Sequence, residues 1–233
     1  MNDHRSSRKQ KSAETLWLWP GRCTGDEIID GVRPDDYSEG MDVFDAIRQR
    51  RSIKPEFMKP DPIDRELLEK LFDAANWAPS HGLTEPWRFI VFEGEGRRAL
   101  AEALCQTMVD EGQDTLPLDD PRRQKITRKT ETAPVIAAIV CAPSPKPNIV
   151  EFEEIESTAM AVQNLHLAAR AAGLAGFWSS GKKAFHPRMA SFLGLEAPSR
   201  CLGFFYLGYP AVEWPQGRRG PAADKVTWWA PNA

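Results

Sequence analysis

Residues 134–142, PVIAAIVCA, contain no charged, hydroxyl or amide side chain, and this run constrains the fold more than any other stretch. An alternating strand leaves one face wet, whereas a continuous apolar run leaves none and demands packing on both sides. The run is far shorter than the ~20 apolar residues needed to span a bilayer. It therefore predicts a central buried strand, closed by the proline-rich loop PSPKPN. With 233 residues, 42% of them hydrophobic, the chain is long enough to cover both faces.

The covering elements are legible around it. Residues 152–172 have a helical period and are almost wholly apolar in their second half, with Gly173 placed as the stop. Such a helix is buried on most sides, as a central core helix or against a twin across a dimer interface, and the dimer is favoured. Asp42 is placed to cap a short helix with Val43, Phe44 and Ile47 on its apolar face. Asp64 precedes a second helix with Leu67, Leu68, Leu71, Phe72 and Ala75 at helical spacing, stopped by Pro79. WRFIVFE at 87–93 alternates as a strand, the EGEG after it is explained by a hairpin-like turn, and 97–112 resume a helical period. A charged helix is expected over 119–131, a strand and loop over LAGFWSSG, a short helix before Gly194 and a strong strand over RCLGFFYLGYP. Strands interspersed with helices make an α/β or α+β layer protein.

Residues 1–40 are polar, then rich in glycine, proline and acids without a period, and read as a partly flexible extension; the domain is expected over 41–233. The tail carries Trp214, Trp228 and Trp229, aromatic surface that seeks burial, on the domain or around a partner subunit.

Lys+Arg 30 against Asp+Glu 33 gives a formal net charge of −3, so no general basic field argues for nucleic acid. The cysteines, Cys23, Cys105, Cys141 and Cys201, form no CxxC pair, and the N-terminus lacks the apolar region of a secretory signal, which together suggest a cytoplasmic setting. Without HExxH, GxSxG or paired Cys/His spacing, no metal site or hydrolytic triad is expected, and no P-loop or G-x-G-x-x-G is present.

What remains is DAIRQRRSIKPEF at 45–57, with Arg48, Arg50, Arg51 and Lys54 around Ser52. Basic residues in a last helical turn complement the macrodipole and are often only solvated. A phosphate at a helix C-terminus would be repelled by the backbone, so holding one there takes several guanidinium groups, and this stretch has that surplus.

VFDAIRQRRSIKPEF, followed by ANWAPSHGLTEPWRFIVFEGEGRRALAEAL, AVQNLHLAARAAGLAGFWSSG and CLGFFYLGYP in that order, resembles the nitroreductase-like flavoprotein family, in its compact YdjA-like branch, over about residues 41–220. The resemblance implies an α+β fold, with a largely antiparallel sheet flanked by helices, and an intertwined homodimer with FMN in clefts at its interface. It implies that Arg50, Arg51 and Ser52 hold the FMN phosphate, with Lys54 near the flavin pyrimidine. Trp77, Ser80 and His81 are then flavin or ribityl contacts, and Trp178, Ser179 and Ser180 reach the flavin from another loop or subunit. Arg218 and Arg219 stand where relatives return a basic residue to the phosphate. Two departures stand out. Glu85 replaces an amide, and Ser179 replaces an arginine, a charge that Lys182 and Lys183 are near enough in sequence to supply.

The implied activity is an NAD(P)H-dependent oxidoreductase that passes hydride through flavin N5 to an electron-poor small molecule such as a nitroaromatic or quinone, in ping-pong order. Hydride moves directly, so no catalytic acid or base is expected in the reductive half, and neither a nucleic-acid nor a membrane partner is expected. A flavin-binding sensor or interaction protein without general reductase turnover is the second reading, kept open by Glu85 and Ser179.

Overall fold

The protein is described by a computed structural model over residues 41–109 and 114–230. The expected extension at 1–40 lies outside the described residues. All seven residues of strand β3 (Val135–Cys141) are buried, as the apolar run requires. Its neighbours are β2 (Trp87–Phe92) and β5 (Arg200–Pro210), both antiparallel to it. On its other edge β5 pairs with β4 (Ala175–Ser179) and with the two-residue β1 (Met58–Lys59), also antiparallel, which resolves the fold class as α+β.

The two faces of β3 serve two cores. Ile136 and Ala138 join Phe204 and Tyr206 of β5 against Leu100 and Leu104 of α3 (Glu95–Gln106) and Ile126 of α4 (Pro121–Thr132). Val135, Ala137 and Ile139 join Phe205 and Leu207 against α2 (Arg65–Asn76) and α5 (Glu151–Ala171). Period-two alternation divides an entirely apolar strand between two helical layers. Fully burying a ring such as Phe205 contributes about 2–3 kcal/mol.

Local chemistry sets the helix starts. The Asp42 carboxylate accepts from the Phe44 and Asp45 amides at 2.7 and 3.0 Å to open α1 (Val43–Gln49). Asp64 and Asp120 cap α2 and α4 in the same way, and His186 Nδ1 accepts from the Arg188 amide at the start of α6 (Pro187–Phe192). At EGEG the structure departs from a hairpin-like turn: Gly94, at φ 48°, turns β2 directly into α3, a conformation that favours glycine.

The apolar face of α1 is not core. Only Ala46 is buried, while Phe44 is 68% exposed beside exposed Val43 and Ile47. In the tail, Trp214 packs under Arg170 at 4.1 Å, whereas Trp228 and Trp229 are exposed on the single chain. No helix among the described residues is long and apolar enough to cross a membrane.

Candidate functional site

The basic cluster forms where α1 ends and the chain passes alongside β4. Ser52 bridges Gly176 of β4, and the Ile53 amide donates to the Gly176 carbonyl at 3.2 Å, so the RRS turn is fixed to the sheet by backbone. A Cβ on Gly176 would meet Phe205 at 2.6 Å and His166 at 2.7 Å, so only glycine permits this approach. Arg50 Nη1 reaches toward Ser52 Oγ at 3.5 Å. The Arg50 guanidinium has its pKa lowered, by burial first and then by Arg219 and Arg51. The tail thus brings Arg219 back to the cluster. Arg218 lies beside it, its carbonyl accepting from Arg219 Nη1, with no bond to Arg50 or Ser52.

Arg51 faces another way. Its guanidinium donates to the carbonyls of Arg48, Arg50 and Pro215 at 2.6, 2.6 and 3.0 Å, and Gly217 packs against Nη2. It ties the helix end to the tail. Beneath it His166 is buried on Phe205, with Nε2 3.3 Å from the Arg51 carbonyl. Burial, reinforced by the Arg50 charge, pushes the His166 imidazole down to about 4, so it is neutral at physiological pH.

Beyond Ser52 the side chains of β4 alternate. Trp178 turns into the core, its Nε1 donating to the Leu202 carbonyl at 3.3 Å, while Phe177 and Ser179 face the other layer. There the Lys129 ammonium donates to Ser179 Oγ at 3.2 Å and lies over the rings of Tyr206 and Phe177, 4.4 and 4.9 Å from their centroids. Lys129 and Lys54 line a cavity of about 560 Å³ over Phe177, and Lys129 also borders a second of about 240 Å³ reached by Ser179 and Ser180. Burial is the largest reason that Lys129 falls to about 8; Glu56 opposes it, and Lys183, Lys125 and Lys54 add to it.

Lys129 is the residue missed by sequence reasoning. It sits among Lys125 and Arg128 in a charged helix, and nothing in its spacing marks it as the one that reaches the sheet.

Trp77, Ser80 and His81 do not join this cluster. Trp77 ends α2 and is 77% exposed, Ser80 Oγ accepts from the Glu85 amide at 3.2 Å, and His81 Nδ1 is 2.8 Å from Glu153 Oε2. The loop is fixed further by Glu154, fully buried, which accepts from Thr84 Oγ1 at 2.5 Å and from the Ser144 amide at 2.8 Å. Glu153 and Glu154 are in the first turn of α5, whereas Arg170, bonded to Gln49 at 2.7 Å beside the arginine cluster, is in its last. Along the helix axis these anchors are about 25 Å apart.

The sequence profile of the Nitroreductase family matches residues 47–209, which contain the RRS turn, the His81 loop, α4 and β4. The chain belongs to the nitroreductase family. Over 173 residues it is 30% identical to YdjA of Escherichia coli (strain K12), covering 74% of this chain and 91% of that protein. Among solved structures, a nitroreductase-like family protein from Bacillus cereus superposes with a TM-score of 0.71 at 26% identity, covering 82% of this chain and 97% of the other. A Desulfovibrio desulfuricans protein solved in complex with FMN superposes with a TM-score of 0.61 at 25% identity, covering 82% and 99%. The helix-flanked antiparallel sheet of this chain is the nitroreductase fold.

Proposed function

We propose that this nitroreductase-family chain is an FMN-dependent oxidoreductase that takes hydride from NAD(P)H and delivers it to an electron-poor small molecule, a nitroaromatic or a quinone. The observation that carries the reading is Arg50 beside Ser52 with Arg219 brought close to it by the tail that Arg51 holds, and with no carboxylate among the bonds of these arginines in the described residues. Like charges gathered without a counter-ion are costly unless an anion completes them. A phosphate ester fits: Arg50 and Arg219 donate to it, Ser52 adds a hydroxyl, and Arg51 holds the tail that carries Arg219. When bound, FMN supplies hydride relay between two substrates that visit in turn. In this reading Lys54 and Lys129, which line one cavity, would supply positive charge to the flavin and so favour the anionic reduced ring, while Ser179 and Ser180 would offer main-chain groups at the end of β4.

A second copy of the chain completes the site in this reading. The Trp77–His81 loop and the arginine cluster sit at opposite ends of α5, so an antiparallel α5 from a partner brings one end beside the other. The surfaces for this are exposed and apolar: Val43, Phe44 and Ile47 on α1, and Phe152 and Met160 on α5.

Arg50→Ala is expected to weaken FMN binding about tenfold to a hundredfold and leave the fold intact, read as flavin absorbance retained after gel filtration. Equal retention by the variant and the wild type would discard the phosphate site. Rapid bleaching of bound flavin by NADH or NADPH in stopped flow supports the oxidoreductase, and colour that persists supports a flavin-binding sensor instead.

A further inference from the structure

The cavity of about 240 Å³ shares Lys129, Ser179 and Ser180 with the flavin reading, but its remaining lining is left without a role by that reading. Its floor is apolar: Leu104, Ile126, Phe204 and Tyr206 are all buried side chains. Its mouth is cationic, with Lys129, Lys182 and Lys183, and no aspartate or glutamate lines it. Lys183 is half-buried, and its pKa is lowered by desolvation first, with Lys125 adding repulsion. Neither Lys182 nor Lys183 has a hydrogen bond or ion pair among the described residues. Lys125 and Arg128 extend the positive surface along α4 into the adjoining larger cavity, where Glu56 is the single acid.

Lys129 and Lys183 are partly buried and repel one another, with exposed Lys182 beside them at the rim, and such a gathering of like charge is unfavourable unless an anion joins it. In a chain whose formal net charge is −3, this concentration is local. The arginines at Ser52 already suffice for a phosphate ester, and Lys54 with Lys129 for the flavin ring. Lys182 and Lys183 are left over.

We propose that this pocket binds a small organic anion, its apolar body on Leu104, Ile126, Phe204 and Tyr206 and its carboxylate between Lys182 and Lys183. Resting on the flavin reading above, this anion is the oxidising substrate, so the acceptors of this chain are aromatic acids rather than neutral aromatics. A carboxylate at the mouth also fixes which end of the acceptor points toward Lys129 and the flavin.

Benzoate and benzamide, matched in shape and differing in charge, test the proposal by calorimetric titration of the FMN-loaded protein. Benzoate is expected to bind at least about tenfold more tightly, with affinity falling as sodium chloride is raised. The Lys182→Gln/Lys183→Gln double variant is expected to lose that preference, and Lys183→Arg to keep it. Inorganic phosphate, run as a competitor, is expected to displace benzoate only weakly, because it has no apolar body. Equal affinity for benzoate and benzamide, a preference that survives the double variant, or displacement by phosphate as strong as by benzoate itself would overturn the pocket. Failure of the flavin reading is seen separately, as wild-type protein that elutes without flavin absorbance while benzoate still titrates.

Discussion

His166 shows how a single side chain joins the core to the site. It fills the space over Gly176 and Phe205, has no carboxylate partner among the described residues, and faces the Arg50 charge across the RRS turn. Its folded pKa, about 4, lies below the unfolded value of 6.5, so between these pH values the unfolded chain binds the extra proton. The stabilisation from keeping this ring neutral is therefore full above pH 6.5 and is lost as pH falls toward 4, by an upper bound of about 3 kcal/mol. Urea denaturation across this range is expected to show that slope, and His166→Gln to flatten it; an unchanged slope in the variant would assign the acid sensitivity elsewhere. Added phosphate or FMN is expected to shift His166 back upward by screening Arg50.

At the scale of elements, the loop at 79–86 is held by buried polar chemistry rather than by hydrophobic packing. Gly82, Leu83 and Glu85 all have positive φ, at 62°, 50° and 47°, and Leu83 is 84% exposed. Backbone of this kind persists only when its surroundings over-determine it. Here Glu154 does so, joining Thr84 to the Ser144 amide from inside α5, while Glu153 holds His81. Glu154→Gln turns one accepting oxygen into a donor, so either the Ser144 amide faces another donor or the Thr84 hydroxyl must reverse and accept. The expected cost is about 1–3 kcal/mol in chemical denaturation, together with faster amide exchange at 79–86. Wild-type exchange in the variant would show the loop to be held from elsewhere.

For the whole molecule, the distribution of exposed apolar surface is the organising fact. Phe44, Ile47, Phe152, Met160, Trp228 and Trp229 are exposed on α1, α5 and the tail, and α5 turns Phe152, Glu156, Met160 and Gln163 outward along one stripe. The proposed dimer buries these surfaces and unites the two ends of α5. Phe44→Glu with Met160→Glu is accordingly expected to give a monomer in light scattering that has also lost FMN, because the partner's loop leaves with the interface. A wild-type chain that runs as a single copy and still retains flavin would remove the dimer from the mechanism.

Much of this fold was legible locally. Asp42, Asp64 and Pro79 mark helix ends through capping and missing amides, and the apolar run at 134–142 dictates two covering layers. Gly94 was misread because a glycine at positive φ serves a hairpin and a strand-to-helix turn equally well. The RRS turn was visible as a surplus of charge, and the resemblance carried by four ordered segments implied a phosphate as its ligand. Which arginine faces the site was decided only by the fold: Arg51 meets Pro215, 164 positions along the chain, and is drawn to the tail, while Arg219 takes its place beside Arg50. The same holds for Trp178 turning into the core and Lys129 reaching Ser179. Backbone preference is set by near neighbours in the chain, so composition and spacing disclose it. The environment of a charge is set by groups distant in sequence, and only tertiary packing brings those within a few ångströms.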